Sequence, residues 1–392
     1  EDASNTLSLA TSYTDTAGNA GPAATTANYA VDTLLPTLIE TTAVLTFTND
    51  NSTQYTFSSS EGGTITYGGS CSSDNNTAVD DNMTVSFAAM SDGTYSDCTI
   101  TVTDSAGNPQ TISVNTFTID TVKPVLAQVI AVSTLTNDNT SSYTFSSTET
   151  GSITYGGSCN SSTTSATQDN NTITFNVLAD GTYSNCMIAV TDNAINKSDN
   201  LSVSSFTIDA TKPVLAQVTP VPTFTNDNTS SYTFSSNEAG DITFGGSCSS
   251  SSTNAIADNN EVTFNALAEG YYSNCTVKVT DNATNQSNPL TVSSFTIDLT
   301  APTVSSIVIS SATGLQNSFL NAGDVVSVTA TFSENVPVTG TPQLTLVVGS
   351  DNRTATYTSG SGSTSLVYQY TIQAGETDAD GISIGANTLA LN

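Results

Sequence analysis

Carboxylates are the side chains of this chain that could carry chemistry, because they outnumber all other ionisable groups. The 392 residues include 35 Asp and Glu, five Lys and Arg, and no His, for a net charge of −30. Such a chain attracts cations, whereas nucleic acid and anionic lipid would meet no basic patch. Without His, the usual general base and the usual transition-metal ligand are missing. We therefore expect a non-enzymatic protein with bound cations, although acidity can also serve only solubility.

Four of the acids end copies of one short motif. Phe-Thr-Ile-Asp occurs three times, after a diverged Tyr-Ala-Val-Asp, and the closing aspartates are Asp32, Asp120, Asp209 and Asp298. Their spacings of 88, 89 and 89 residues predict one small domain repeated in tandem. We predict the C-terminal part of a domain at 1–32, three repeats at 33–120, 121–209 and 210–298, and an incomplete domain of a different subtype at 299–392.

Cysteines occur once as a pair in each complete repeat, always 27 residues apart: Cys71 with Cys98, Cys159 with Cys186, and Cys248 with Cys275. This pattern predicts intradomain disulfides and an oxidising compartment. Closing a loop of that length contributes roughly 3–4 kcal/mol in the loop-entropy model. Strand alternation places the second cysteine of each pair on the core-facing side.

The segments between these residues are short, rich in β-branched side chains and separated by turn residues, without helical periodicity. Six or seven strands in 89 residues favour an antiparallel β-sandwich, with a barrel as the alternative. In the last strand the alternation slips between Val203 and Phe206, which predicts a β-bulge. A proline follows each closing aspartate by four residues and predicts stiff joints, at Pro36, Pro124, Pro213 and Pro302.

The ends of the chain and its hydropathy bear on where the protein is found. No apolar run reaches membrane-spanning length, so we expect no direct insertion into a membrane. The sequence shows neither a signal peptide nor a starting Met. We expect it to be an interior piece of a longer protein.

Residues 226–240 (NDNTSSYTFSSNEAG), 280–285 (TDNATN) and 295–298 (FTID) resemble the bacterial Ig-like repeats of giant surface adhesins and related extracellular proteins. The resemblance covers residues 37–302, and residues 321–324 and 331–334 resemble another subtype found in such proteins. It implies an all-β fold of tandem Ig-like antiparallel β-sandwich domains in an extended array, on a bacterial surface or secreted. Unlike antibody domains, the repeats have no Trp and a short Cys spacing, so the bridge must join different strands.

On the Ig-like topology, the repeated acids of consecutive domains face one another across four junctions. Carboxylates in one gap repel unless a cation lies between them, and calcium accepts six to eight oxygen ligands from Asp, Glu and Asn. Junction calcium is also common in the adhesin repeats that this chain resembles. The predicted ligands, junction by junction, are Asp32, Glu61, Asp104 and Asn108; Asp50, Asp92, Asp120, Glu149, Asp192 and Asn196; Asp138, Asp180, Asp209, Glu238, Asp281 and Asn285; and Asp227, Glu269, Asp298 and Glu334. The alternative is that Asp and Asn recur because turns favour them.

Together these features predict a stalk or spacer of a bacterial extracellular adhesin, stiffened by disulfides and calcium. One alternative is a subunit of an extracellular filament or biofilm matrix, formed by contacts between neighbouring copies. The other is a glycan-binding module, which needs one repeat with an aromatic or polar pocket that the others lack. Tyr271 and Tyr272 could form a sugar platform, although a half-buried strand pair is favoured. Contacts with host or surface glycans would otherwise use domains outside this chain.

Overall fold

Strands are the only regular elements in the part of the chain that the computed structural model describes, residues 2–390, with side chains from 6 to 385. None of these residues forms a helix that is long and apolar enough to cross a membrane. The first segment contains two antiparallel strand pairs, β1 with β4 and β2 with β3. Their bounds are β1 Asp2–Asn5, β2 Ser8–Leu9, β3 Ala24–Thr25 and β4 Tyr29–Val31.

The first repeat contains ten strands in three small sheets, with orders β10-β7-β5, β13-β12-β8-β9 and β11-β14-β6. All pairs are antiparallel except β6 with β14, where the start of the domain runs parallel to its last strand. The strands are β5 Leu38–Thr42, β6 Phe47–Thr48, β7 Gln54–Ser59, β8 Gly63–Gly68, β9 Thr77–Ala78, β10 Asp81–Ser86, β11 Gly93–Tyr95, β12 Thr99–Asp104, β13 Pro109–Ser113 and β14 Phe117–Ile119.

The second and third repeats have the same sheets in the same order. The second contains β15 Leu126–Ile130, β16 Leu135–Thr136, β17 Ser142–Ser147, β18 Gly151–Gly156, β19 Ser165–Ala166, β20 Asp169–Thr174, β21 Gly181–Tyr183, β22 Met187–Thr191, β23 Leu201–Ser202 and β24 Phe206–Ile208. The third contains β25 Leu215–Thr219, β26 Phe224–Thr225, β27 Ser231–Ser236, β28 Gly240–Gly245, β29 Asn254–Ala255, β30 Asn259–Thr263, β31 Gly270–Tyr272, β32 Thr276–Asp281, β33 Leu290–Thr291 and β34 Phe295–Ile297.

The last domain is built differently, as one six-stranded antiparallel sheet with order β35-β36-β39-β38-β37-β40. Its strands are longer, and its core is a separate cluster that includes Val328, Leu346 and Tyr368. The bounds are β35 Val304–Thr313, β36 Val325–Val336, β37 Gln343–Val348, β38 Asp351–Ser359, β39 Ser363–Thr371 and β40 Ser383–Ala390.

Each repeat has its own core, formed by the alternate residues of facing strands. In β7, Tyr55 and Phe57 are fully buried whereas Gln54 is exposed, as the alternation predicts. Phe117 stacks on Phe87 from the other side of the core. The predicted all-β fold of tandem Ig-like sandwiches is thus confirmed.

The disulfides join the cysteines that the sequence paired, with Cα atoms 5.2 Å apart in every repeat. All six cysteines are buried, so they face the core as expected. Gly68 pairs with Thr99 in the β8–β12 ladder, and Cys71 and Cys98 lie just beyond that pair. The bridge therefore extends the β8–β12 pairing and differs from the inter-sheet bridge of antibody domains.

The predicted β-bulge in the last strand of each repeat is wrong. In the third repeat, β33 pairs with β32 and ends at Thr291, whereas β34 begins at Phe295 and pairs with β31 and β26. The strand is interrupted and changes its partner sheet. The slip in alternation results from that change, because β33 and β34 bury their side chains against different neighbouring strands.

Candidate metal sites

An Asp and an Asn close the turn that follows β12, β22 and β32. In the second repeat, the backbone N–H of Asn196 donates to Asp192 Oδ1 at 2.9 Å, and Asn196 Nδ2 donates to Asp192 Oδ2 at 2.9 Å. Asp192 is only 9% exposed. The amide donors hold the buried carboxylate in one orientation, and the equivalent pairs are Asp104 with Asn108 and Asp281 with Asn285. In the first of these, the same hydrogen bonds keep the pKa of Asp104 below its ordinary value.

The same asparagine reaches the preceding domain. Asn196 Nδ2 donates to the backbone carbonyl of Asp120, the closing aspartate of the first repeat, at 2.7 Å. The corresponding bonds run from Asn108 to the carbonyl of Asp32 at 3.2 Å and from Asn285 to the carbonyl of Asp209 at 2.7 Å. One side chain therefore fixes both the turn and the position of the neighbouring closing aspartate.

A glutamate is held in the turn that precedes β8, β18 and β28. In the second repeat, Ser147 Oγ donates to the carbonyl of Glu149 at 2.6 Å. The residue before it, Thr148, accepts the N–H of Val125 on Oγ1 at 2.9 Å, and Val125 directly follows the linker proline. Equivalent bonds link Thr37 to Ser60 and Val214 to Asn237. The turn that carries the glutamate is thus fastened to the linker.

The Asp–Asn turn and the glutamate turn of each repeat place two carboxylates beside the closing aspartate of the preceding domain. In each group the ligand atoms lie within 4.8 Å of one another, and the groups are Asp32, Glu61 and Asp104; Asp120, Glu149 and Asp192; and Asp209, Glu238 and Asp281. The structure therefore brings together the predicted acids of the first junction and half of the predicted set at the second and third. Three carboxylate oxygens from separate elements form a donor set suited to a hard divalent cation.

Without a cation, the carboxylates in each group repel one another, and in the second and third groups this repulsion appears in the pKa of the glutamate. Burial raises the pKa of Glu149, and the charges of Asp120 and Asp192 raise it further. Burial, Asp209 and Asp281 likewise raise the pKa of Glu238. Glu238 Oε2 is also fully buried and has no hydrogen-bond partner among the described residues. A bound cation would neutralise the repulsion and give this oxygen a partner.

Three predicted ligands lie outside these groups because they form turns within their own domains. Asp138 Oδ1 accepts the N–H and the hydroxyl of Thr140, both at 2.9 Å. Asp50 and Asp227 do the same with Ser52 and Thr229. This is the turn-forming alternative, in which Asp hydrogen-bonds the backbone two residues on.

Three further predicted ligands anchor the linker instead. Asp92 Oδ1 accepts the N–H of Thr121 at 3.1 Å and its hydroxyl at 2.9 Å. Asp180 accepts the hydroxyl of Thr211, which lowers the pKa of Asp180, and Glu269 accepts that of Thr300 at 2.7 Å. Sequence reasoning missed these threonines and the residue before each turn glutamate. A threonine recurs one or two residues after each of these closing aspartates, and a polar residue recurs before each turn glutamate. That recurrence was the signal by which the sequence could have identified them.

The fourth junction is built from a different set. Burial is the main cause that raises the pKa of Glu334. The nearby charges of Asp298 and, to a smaller extent, Glu269 raise it further. Ser333 Oγ accepts the N–H of Thr303 at 2.9 Å, as at the other glutamate turns. Among the described residues, no acid of the last domain completes a close group of three here.

Comparison with known proteins leaves the family of this chain open. No protein-family model matches the chain, and no curated protein matches it in sequence. A matching solved structure is the Salmonella alpha-2-macroglobulin reacted with methylamine, at 10% sequence identity and a TM-score of 0.16. The match covers 94% of this chain and 31% of that one, so the chain spans less than a third of its length. So low a TM-score does not establish a shared fold.

The structure itself supports a coarser description. The chain is an all-β array of disulfide-bonded Ig-like repeats with acidic groups at its junctions. Three disulfides indicate an oxidising, non-cytoplasmic location.

Proposed function

We propose that this chain is a non-enzymatic stalk or spacer of a bacterial extracellular adhesin or surface protein. In this proposal, disulfides stabilise each repeat, and calcium ions at the junctions hold successive repeats in line. The repetition supports it, since three junctions repeat one arrangement whereas a catalytic site needs only one copy. The excess of acidic residues argues against nucleic acid as a partner.

The observation that carries the proposal is the origin of the three carboxylates in each group. Asp120 belongs to the preceding domain, whereas Glu149 and Asp192 belong to the following one. An ion bound by all three would bridge the domains. Carboxylates about 5 Å apart repel by roughly 1–3 kcal/mol per pair at effective dielectric constants between those of water and a protein surface. A typical hydrogen bond contributes only about 0.5–1.5 kcal/mol, so the repulsion can outweigh the hydrogen bonds across the junction. The charge of the three carboxylates then decides whether the two repeats stay in contact.

Calcium fits these groups better than other cations. It accepts carboxylates and carbonyls in flexible geometry, whereas magnesium requires a near-ideal octahedron and retains several waters. Softer metals prefer His or free Cys, and the sequence has no His while all its cysteines are in disulfides.

Calcium titration by isothermal calorimetry tests this proposal. We expect about three bound ions per chain, one at each close group. A triple variant, Glu61→Gln, Glu149→Gln and Glu238→Gln, removes one ligand charge from each group and should lose most of the binding. The matched control, Asp81→Asn, Asp169→Asn and Asp258→Asn, removes three exposed charges elsewhere in the same repeats. Equal binding by both variants would contradict junction calcium.

The two alternative functions differ in their support. A filament or matrix subunit requires lateral contacts between chains and stays a prediction. A ligand-binding role has one observation in its favour, because Tyr271 and Phe224 of the third repeat expose large aromatic surfaces.

A further inference from the structure

The third repeat exposes two aromatic rings on one sheet face beside the fourth junction. Phe224 is 75% exposed and Tyr271 is 68% exposed. Both line an open pocket of about 390 Å³ that also includes Glu269, Asp298 and Glu334. Aromatic residues of this size are normally buried, so their joint exposure requires an explanation.

Strand register places the two rings on either side of a small residue. Phe224 in β26 and Tyr271 in β31 both pair with Thr296 in β34. The neighbours Phe295 and Ile297 are buried, so Thr296 and the residues paired with it point outward. Neighbouring strands lie about 4.8 Å apart, which separates the two aromatic positions by roughly 10 Å. The rings thus form the walls of a slot, and the threonine forms its floor.

Carboxylates lie at the junction end of this slot. Gly270 pairs with Ile297, so Glu269 and Asp298 are neighbours at the end of the sheet, and Glu334 approaches them from the last domain. Glu334 Oε1 is fully buried without a hydrogen-bond partner among the described residues. The residues that line the pocket include no Lys or Arg. The slot therefore has apolar walls and an unneutralised acidic end.

The other two repeats lack the second wall. The corresponding rows are Phe47, Thr118 and Thr94 in the first repeat and Leu135, Thr207 and Thr182 in the second. In both, the two threonine hydroxyls are hydrogen-bonded to each other at 3.0 Å. The slot is thus a feature of the third repeat, and the close groups of three carboxylates at the first three junctions do not explain it.

We propose that this slot binds the side chain of a lysine presented by a partner polypeptide. The aliphatic stem of the lysine lies between Phe224 and Tyr271, and its ammonium reaches Glu334, Glu269 and Asp298. Ammonium groups are attracted to aromatic faces as well as to carboxylates. Charge complementarity favours this ligand, because this chain supplies the acids and has only five basic residues of its own. A neutral sugar would also stack on the rings, but it leaves the clustered carboxylates without a counter-charge.

Ligand-observed NMR on the whole chain, with chelator and about 0.15 M salt, tests this proposal. The probe is Nα-acetyl-lysine N-methylamide, whose ε-methylene protons should shift upfield between the two rings. The Nε-acetylated form, which keeps the stem and loses the charge, should bind at least about threefold more weakly. Cadaverine and a neutral chitin tetrasaccharide serve as the small-amine and sugar arms.

Variants locate the binding. Phe224→Ala with Tyr271→Ala leaves the net charge unchanged and should weaken lysine binding at least about threefold. Glu334→Gln should weaken it similarly, whereas Phe47→Ala, at the equivalent position of the first repeat, should not. Unchanged binding by the double variant would overturn the proposal. Binding of the sugar or of cadaverine without binding of the lysine amide would also overturn it.

Discussion

Asn196 shows how one side chain can couple the inside of a domain to its neighbour. Its amide donates to Asp192 within its own turn and to the carbonyl of Asp120 in the preceding domain. An Asp at this position would repel Asp192, and a shorter side chain would reach neither acceptor. The recurrence of Asn at 108 and 285 follows from this double role.

Asn196→Ala should weaken calcium binding at the second junction and lower the stability of the second repeat. The loss of the hydrogen bonds of the amide costs about 1–2 kcal/mol in the free energy of unfolding. Calcium titration and thermal unfolding measure the two effects. Asn193→Ala changes an exposed residue of the same turn and is the control. Equal calcium affinity in both variants would show that the amide does not organise the site.

The raised pKa values of Glu149 and Glu238 predict how pH acts on the junctions. In the metal-free protein, the stability from their protonated forms is present at low pH and is lost as pH rises through the raised pKa. Calcium must displace these protons, so its affinity should rise with pH over the same window and then level off. Titrations from pH 4 to pH 8 measure this dependence. An affinity that increases on acidification would contradict the assignment of these glutamates as ligands.

The sequence could predict the closing aspartates, the turn glutamates and the Asp–Asn turns as one set, because their recurrence fixes their positions at the domain ends. It could not separate them from Asp92 and Asp138. These acids also recur at the domain ends, but Asp92 binds Thr121, and Asp138 closes its own turn through Thr140. Which acceptor an acid uses depends on the path of the linker, and a single sequence does not show that path.

At the scale of elements, alternation predicted buried faces well and strand continuity poorly. Cys98, Cys186 and Cys275 are buried, as their strand alternation predicted. The predicted bulge before Phe295 is wrong, because alternation reports which side a residue buries and not which strand it pairs with. The cysteine pairs needed no topology, since equal spacing in each repeat fixed them.

Replacing Cys159 and Cys186 with Ala should destabilise the second repeat by roughly 3 kcal/mol, through the larger entropy of its unfolded loop. Calorimetric unfolding should show a lower transition for that repeat alone. Reduction of the wild-type protein should produce the same loss in all three repeats. A variant that unfolds like the wild type would show that the bridge does not stabilise the domain.

At the scale of the whole chain, the first three junctions repeat one arrangement of acids. At the second junction the linker is fastened to the first repeat through Asp92 and to the second through Thr148. The three carboxylates lie close to these hydrogen bonds. Their mutual repulsion therefore acts on a short linker that is held at both ends. The fourth junction keeps the fastening but exchanges the close acidic group for an aromatic and acidic slot. The last domain also replaces the three small sheets of each repeat with one six-stranded sheet. The sequence predicted this change only as a domain of a different subtype.

X-ray scattering with calcium and with chelator measures whether cations at the junctions stiffen the chain. We expect a long, stiff particle with calcium, and a shorter maximum dimension with greater flexibility after the ion is removed. The triple Glu→Gln variant should not respond to chelator, whereas the triple Asp→Asn control should respond as the wild type does. An unchanged maximum dimension of the wild-type chain on removal of calcium would show that junction cations do not stiffen it.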